Sequence, residues 1–344
     1  MRVVLAAVLV CSLAACSASP EAVRSAPTLT PQASGASGLL IAAYAVNAET
    51  VWAAGVAGTV VKTTDGGATW TAMTVPGADS LQFRDVHAWS AQEALVLSIG
   101  NGTDSRVYRT DDGGATWTQT FTNEVQDAFY DCLDFWPDGG GLLFSDSVEG
   151  AFYIQRTTDY GRTWTRVPPE VLPPAQEAEG SFASSGTCLA TTGDATAFIA
   201  TGNAETPRLL RTDDRGASWT ATDLPLAGGE AAGGASVTFG PGSSVIVAGG
   251  DIGKPEERSA AIATWTGSRW REGGALPFLG AAYGAAFVPE SGVALAVGPG
   301  GVALSDNAGA GWRLLSEETH WGLAAAAGRA WLVGPQGRIT RVDL

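Results

Sequence analysis

An eight-residue segment recurs along the chain and limits the folds that the chain can adopt. Four copies share the pattern Thr-x-Asp-x-Gly-x-Thr/Ser-Trp, and each follows a short apolar run. These copies are Thr63–Trp70, Thr110–Trp117, Thr157–Trp164 and Thr212–Trp219. Weaker copies are Ser305–Trp312, with Asn in place of Asp, and Thr264–Trp270, which lacks the Asp and one residue. Successive tryptophans are 42 to 55 residues apart, a spacing typical of β-propeller blades rather than shorter solenoid repeats.

The pattern shared by these copies has a structural explanation that needs no ligand. An Asp in a turn between strands can accept hydrogen bonds from backbone amides of that turn, and the following Gly can adopt positive φ. We therefore interpret the Asp and Trp residues as structural. They are Asp65, Trp70, Asp112, Trp117, Asp159, Trp164, Asp214 and Trp219. A calcium site is disfavoured because the spacing DxDxDG is absent.

The apolar segments of the chain predict an all-β fold. They are short, rich in Val, Ile and aromatic residues, and bounded by Gly, Asp and Pro, with no sustained helical period. The 344 residues include 45 glycines and only 16% charged residues, as expected for many short strands. Seven units are expected, and the last, Gly322–Val342, has no recurring segment and no fourth strand. We predict that Thr28–Gln32 supplies that strand and closes a seven-bladed propeller spanning residues 28–344.

The N-terminus predicts export. Met1–Ala15 is interpreted as a signal peptide, with Arg2 followed by an apolar run, and Leu13-Ala14-Ala15-Cys16 matches the bacterial lipobox. Cleavage would leave Cys16 for lipidation, and its acyl chains would anchor the protein to a membrane. The alternative is an ordinary secretory signal cut near Ala18. Residues 16–27 are expected to be a tether, with the protein on the periplasmic side of the outer membrane or the outer face of the cytoplasmic membrane.

Cysteine usage and charge restrict the possible ligands. Outside the predicted signal and the lipidation site, only Cys132 and Cys188 are present, at the starts of predicted inner strands in adjacent blades. They could form a disulfide in an oxidising compartment or stay as two buried thiols. No Cys/His cluster suggests a metal, and no cofactor is expected. The formal net charge of −15 disfavours nucleic acid as a partner.

The recurring segments resemble the Asp-box, or BNR, repeat of sialidases, sortilin-type receptors and photosystem II assembly-factor propellers. Gly38–Trp70 is similar to a first blade of bacterial and plastid photosystem II stability/assembly-factor-like proteins, in a WD40/YVTN-like propeller class. The tail Ala330–Val342 has the same W-x-x-G-x-x-G form. The resemblance implies a propeller in which the Asp-boxes lie on the face away from the ligand site.

The candidate binding residues lie in loops expected to meet at the mouth of the axial channel. We predict ligand contacts at Arg84, Asp85, Asp131, Glu179 and Asp251. Arg84-Asp85 and Tyr130-Asp131 occupy equivalent entries to successive inner strands, and charges that near the axis often have a partner. An insertion, Glu177–Cys188, interrupts the repeat before blade four, as ligand-facing loops often do. The alternative interpretation is a solvated rim with no ligand.

These features favour a non-catalytic, monomeric binding or assembly module for an envelope protein or glycan. The first alternative is a sialidase-like hydrolase, with Asp85 or Asp131 as the acid, Tyr283 paired with Glu179, and Arg84 binding the substrate carboxylate. The FRIP motif of sialidases is only half matched by Phe83–Val86. A weaker alternative is an oxidoreductase, as some relatives are labelled, but no GxGxxG fingerprint is present.

Overall fold

The computed structural model describes residues 26–265 and 267–344, which form seven four-stranded antiparallel sheets. The predicted signal peptide, Cys16 and most of the predicted tether lie outside the described residues. In the described ranges, no helix is both long enough and apolar enough to cross a membrane.

In six of the sheets, four consecutive strands follow one another from the axis outward. In chain order they are β1 Thr28–Ala33, β2 Leu40–Ala45, β3 Val51–Gly55, β4 Thr59–Thr63, β5 Thr71–Thr74, β6 Phe83–Ala88, β7 Ala94–Ser98, β8 Arg106–Thr110, β9 Thr118–Thr122, β10 Tyr130–Phe135, β11 Gly141–Val148, β12 Ala151–Thr157, β13 Thr165–Arg166, β14 Leu189–Thr192, β15 Thr196–Ala200, β16 Arg208–Thr212, β17 Thr220–Asp223, β18 Ala232–Phe239, β19 Val245–Asp251, β20 Ala261–Trp265, β21 Trp270–Glu272, β22 Gly284–Val288, β23 Val293–Gly298, β24 Gly301–Ser305, β25 Arg313–Ser316, β26 Gly322–Ala326, β27 Arg329–Val333 and β28 Arg338–Asp343. Short 3-10 turns lie at Gly102–Asp104, Pro169–Val171, Pro241–Ser243 and Pro335–Gly337.

The core lies between neighbouring blades. The second strand is buried along its whole length in three blades, at β3, β7 and β23, because both faces of the sheet pack against adjacent sheets. Such strands consist of continuous apolar residues, whereas an outermost strand such as β5 is largely exposed and polar. This arrangement explains why the sequence shows short apolar runs instead of clean alternation.

The N-terminal strand closes the ring. β1 pairs antiparallel with β28, with Leu29 opposite Val342, and the last sheet has the order β1-β28-β27-β26. Gln32 on β1 also accepts a hydrogen bond from the indole Nε1 of Trp70 in the first blade, at 3.1 Å. The predicted seven-bladed propeller closed by an N-terminal strand is therefore confirmed, with the strand extending one residue beyond Gln32.

Each recurring segment forms a turn held by its own polar side chains. Thr63 Oγ1 donates to Asp65 Oδ1 at 2.7 Å and accepts from the amide of Gly67 at 2.9 Å. The second carboxylate oxygen of Asp65 accepts from Thr69 Oγ1 at 2.6 Å. The equivalent turns at Asp112, Asp159 and Asp214 repeat these bonds. In the turn of the sixth blade, Asn307 accepts the amide of Gly311 at 2.8 Å.

Replacing Asp65 with Asn is expected to preserve the fold and to change how stability depends on pH. Hydrogen bonds from the hydroxyl and amide of Thr69 hold the pKa of Asp65 at about 2, below its value of about 3.9 in an unfolded chain. The ionised carboxylate therefore stabilises the protein above about pH 4, and that contribution is lost as the pH falls through 2. Asn307 shows that a side-chain amide oxygen can accept the hydrogen bond from the corresponding backbone amide of the turn.

The expected result is a wild-type advantage over Asp65→Asn that is present at pH 7 and shrinks between about pH 4 and pH 2. Urea unfolding midpoints at several pH values would measure it. An advantage that stays constant across this range would show that the ionised carboxylate is not what stabilises the turn.

Candidate functional site

An insertion between β13 and β14 crosses one end of the axial channel, and we call residues 181–187 the strap. Arg84 Nη1 of the second blade donates to the carbonyl of Ala183 at 3.0 Å. The hydroxyls of Ser184 and Ser185 donate to the carbonyl of Tyr283, before the sixth blade, at 3.0 and 2.7 Å. Contacts to opposite sides of the ring hold the strap over the channel and separate a mouth above it from a cavity below it.

Both ends of the strap are anchored. On its N-terminal side, the fully buried carboxylate of Glu179 accepts Arg208 Nε at 2.9 Å, also pairs with Arg208 Nη2, and accepts Thr201 Oγ1 at 2.7 Å. On its C-terminal side, Cys188 and Cys132 form a disulfide with their Cα atoms 6.0 Å apart. Arg208 and Thr201 belong to blade four, so their bonds to Glu179 fix the insertion to that blade. Both carboxylate oxygens of Glu179 are occupied by these protein donors.

The mouth above the strap is a concave cavity of about 520 Å³. Its wall combines partly exposed apolar and aromatic groups with a few polar ones. The lining residues include Arg84, Ile99, Asp127, Phe129, Asp131, Asp146, Phe182, Ile252, Tyr283 and Trp321. Of the predicted contact residues, the structure brings Arg84 and Asp131 together in this cavity.

Arg84 lies against aromatic rings and has no carboxylate partner among the described residues. Its guanidinium carbon is 5.3 Å from the ring centroid of Trp321, which itself packs edge-on against Tyr283 at 5.0 Å. Nη2 of Arg84 donates to Gln82 Oε1 at 2.9 Å, and the buried Nε has no partner. Burial lowers the pKa of Arg84 from its ordinary value, but the side chain stays cationic at neutral pH.

Asp131 and Asp146 are two interacting carboxyl groups in the same wall. Asp131 is 1% exposed, and burial raises its pKa well above the ordinary range, with the negative charge of Asp146 adding to the effect. Burial also raises the pKa of Asp146 to about 6, against the hydrogen bond that it accepts from the amide of Ser181 at 2.8 Å. Two interacting buried carboxyl groups resist ionising together, which favours a form in which they share one proton.

Three β-bulges direct these charged side chains. The ladder between β6 and β7 skips Arg84, and the ladder between β10 and β11 skips Asp131. The ladder between β11 and β12 likewise skips Asp146. A bulged residue leaves the regular alternation, so its side chain can be re-aimed out of the sheet. The three bulges therefore explain why these charges line the mouth.

Asp85 lies below the strap, in the wall of the axial channel and outside the mouth. It is 4% exposed, and its carboxylate accepts the amides of Val86 and Leu133, both at 2.7 Å. Burial raises its pKa well above the ordinary range, and the amide of Leu133 opposes that shift. The bond from the amide of Leu133 joins the inner strands of blades two and three. Gly186 of the strap adopts a φ of +78°, and a Cβ there would lie 2.4 Å from Asp85 Oδ1.

Asp251 lies at the end of β19 and does not line the mouth cavity. Its Oδ1 accepts the amide of Gly253 at 2.9 Å, and Oδ2 is 3.5 Å from Nζ of Lys254. Its neighbour Ile252 faces the mouth and is 37% exposed. The predicted position was thus one residue away from the side chain that the cavity presents.

The channel below the strap has a volume of about 270 Å³ and is lined mainly by small residues of the inner strands. Its polar groups connect neighbouring blades. His87 Nδ1 lies 3.1 Å from Asp134 Oδ1, and Asp134 Oδ2 accepts the amide of Thr191 at 2.7 Å. The ring of Tyr44 packs 4.1 Å from that of His87. Contacts of this kind hold successive inner strands together around the axis.

The mouth also includes residues that the sequence analysis did not select as contacts. Phe129, Tyr283 and Trp321 each stand directly before an inner strand, at β10, β22 and β26. A search for bulky residues at that one repeat position would have found all three. The hydrolase alternative required Tyr283 beside Glu179, but Tyr283 contacts Trp321 and Glu179 binds Arg208.

The comparisons with known proteins identify the fold. No family model matches the chain, and no curated protein matches it. Among solved structures, YCF48 bound to a D1 peptide superimposes with a TM-score of 0.64 and 14% identity, covering 92% of this chain and 97% of that one. The chain is a seven-bladed β-propeller.

Two enzymes share the same architecture. A catalytically inactive variant of virginiamycin B lyase from Staphylococcus aureus, with quinupristin, has a TM-score of 0.66 and 15% identity over 93% of this propeller and 100% of the lyase. The GH74 xyloglucanase from Xanthomonas campestris has a TM-score of 0.64 and 18% identity over 91% of this propeller but 53% of the enzyme. At these identities the similarity is one of fold, and both binding and catalysis occur on it.

Proposed function

We propose that the protein is a non-catalytic binding module of the cell envelope that holds a segment of a partner protein in the mouth above the strap. The observation that carries this proposal is the clustering of Arg84, Tyr283, Trp321, Phe129 and Ile252 around one cavity. Tyrosine, tryptophan and arginine dominate the binding energy of protein interfaces when they line a concave site. The cavity of about 520 Å³ accommodates a few side chains of an extended segment.

The chemistry of the carboxyl groups supports binding over glycoside hydrolysis. Glycosidases other than those with a tyrosine nucleophile, such as sialidases, place two carboxyl groups about 5 to 9 Å apart, on either side of the scissile bond. Asp131 and Asp146 instead interact directly with each other, and Glu179 is enclosed by Arg208 and Thr201. The pair therefore lacks the space for a sugar ring between its members.

Export and lipidation at Cys16 complete the proposal. The anchor would keep the propeller at the membrane surface, and the ring would present the mouth to a neighbouring envelope protein without internal motion. YCF48 bound to a D1 peptide gives a precedent for peptide capture by this fold. The glycan alternative is testable in the same assay, because a glycan would not yield a crosslinked polypeptide.

Photocrosslinking in the native envelope would test the proposed function. A benzoylphenylalanine at position 252, in the mouth, is expected to capture a specific polypeptide, and Trp321→Ala is expected to reduce that capture at least fivefold. The reduction follows because Trp321 supplies aromatic area beside Arg84 and Tyr283, worth about 1–2 kcal/mol or more when truncated. Mass spectrometry would identify the captured protein.

The matched control is the same crosslinker at position 314. Leu314 is 39% exposed, close to the 37% of Ile252, but it lies on β25, the outermost strand of its blade. Identical crosslinked products from positions 252 and 314, or capture that is unchanged by Trp321→Ala, would contradict a binding role for the mouth.

A further inference from the structure

We infer that the segment held in the mouth is cationic, with a lysine or arginine side chain of the partner seated against the Asp131–Asp146 pair. This inference rests on the proposed function and names the chemistry of its ligand. It depends on three features of the pair: a buried oxygen without a nitrogen or hydroxyl donor, the absence of a protein cation, and the charge of the surrounding wall.

Asp131 carries a buried oxygen that receives no hydrogen bond from a nitrogen or hydroxyl group of the described residues. The side chain is 1% exposed and borders the mouth cavity, and the proton shared with Asp146 is the one donor available to Oδ2 among the described residues. A buried acceptor without an N–H or O–H donor of its own is unfavourable. A bound N–H group could take the place of the shared proton, so the oxygen favours a ligand that donates hydrogen bonds.

Neither carboxyl group has a cation of its own. Among the described residues, no lysine, arginine or histidine forms an ion pair with Asp131 or Asp146. The buried carboxylate of Glu179 shows the contrast, because Arg208 supplies it with two donors. The pair at the mouth is therefore a buried acidic site that lacks the counter-ion given to its neighbour.

The groups around the pair leave the mouth acidic. Arg84 from β6, Asp127 from the loop before β10, and Tyr283 before β22 are the other ionisable residues that line the cavity. The strap contributes no charged side chain. Three carboxyl groups, with two negative charges while the pair keeps its proton, thus face one arginine, which already donates to Ala183 and Gln82. The formal net charge of −15 adds long-range attraction for a positively charged segment.

Binding of a cation should displace the shared proton. In the free protein, burial and mutual repulsion disfavour double ionisation, so the pair keeps a shared proton to a higher pH than an ordinary carboxyl group would. An ammonium or guanidinium beside the pair favours the doubly ionised form, so the proton leaves to buffer while the ligand keeps its own. Affinity should therefore increase with pH over the range in which the free pair still holds its proton, by up to about tenfold per unit.

Titration calorimetry with three matched peptides would test the inference. The probes are acetyl-Ala-Phe-X-Phe-Ala-amide with lysine, norleucine or glutamate at X. At pH 7 the lysine peptide is expected to bind wild type at least tenfold more tightly than the norleucine peptide, and the glutamate peptide more weakly than both. The binding enthalpy of the lysine peptide should change between phosphate and Tris buffers by an amount that corresponds to the release of up to one proton.

Variants separate the pair from the general charge of the mouth. Asp131→Asn should abolish proton release and the preference for lysine. Asp127→Asn, at an exposed position, should weaken lysine binding only about twofold to threefold and leave proton release unchanged. The wild-type measurements need no variant, so they test the inference even if Asp131→Asn folds poorly.

The outcomes distinguish this inference from the proposed function. Equal affinity for the lysine and norleucine peptides, or no proton release from wild type, would overturn the inference. If those peptides still lost affinity in Trp321→Ala, the proposed binding role would stand with a ligand of different chemistry. If no peptide depended on Trp321, and crosslinking from position 252 also failed, both proposals would fall.

Discussion

Deletion of residues 26–37 is expected to lower the free energy of unfolding by about 4 kcal/mol, because it opens the ring. Six residues of β1 pair with β28, and cross-strand pairs contribute about 0.2–1 kcal/mol each. The deletion also removes the hydrogen bonds from Trp70 to Gln32 and from Ser34 to the carbonyl of Gly337. Blade seven would retain three strands and expose the edge of β28.

The matched control is deletion of residues 17–25, which leaves β1 intact. Urea unfolding of the two truncated proteins beside the full chain would compare their free energies. The same unfolding midpoint for both deletions would contradict the role of β1 in closing the ring. We also expect the 26–37 deletion to form oligomers, because an exposed strand edge can pair with another chain, and size-exclusion chromatography would detect them.

Arg208→Ala is expected to destabilise the protein by about 3–5 kcal/mol, because it leaves the buried carboxylate of Glu179 without its cation. The Glu179 side chain is fully buried, and that of Arg208 is 13% exposed. The strap begins two residues after Glu179, so the variant should also loosen the strap. Urea unfolding would measure the first effect, and hydrogen exchange of the amides of residues 181–187 would measure the second.

Arg211→Ala is the control for this prediction. Arg211 pairs with Asp213, but the two side chains are 49% and 55% exposed, and exposed pairs contribute about 0–1 kcal/mol. The paired replacement Glu179→Leu with Arg208→Met should cost less than Arg208→Ala, because it leaves no buried charge. Equal costs for Arg208→Ala and Arg211→Ala would show that burial does not strengthen the Glu179 pair.

The candidate site could be predicted from the sequence only in part. Arg84 and Asp131 were selected because they enter successive inner strands at the same repeat position, and both line the mouth. Asp85 was selected by the same reasoning and Glu179 because it lies in the insertion. However, Glu179 binds Arg208, which is 29 residues away, and Asp85 binds the amide of Leu133, 48 residues away. Partners this distant in sequence leave no local pattern.

The sequence by itself determined the number of blades and the way in which the ring closes. Each eight-residue segment is a local turn whose hydrogen bonds join residues no more than four apart, such as Thr69 and Asp65. Local bonds of this kind depend on residue type and spacing, so a repeat in the sequence becomes a repeat in the fold. The missing outer strand of the last unit then required Thr28–Gln32.

Only the tertiary structure decided what the mouth presents. The bulges at Arg84, Asp131 and Asp146 are properties of strand register, which depends on the partner strand rather than on the residue itself. The strap is held by bonds between residues 99 apart, from Arg84 to Ala183 and from Ser184 to Tyr283. Closing the ring brings blades two, four and six around one axis, and these contacts exist only once that has happened.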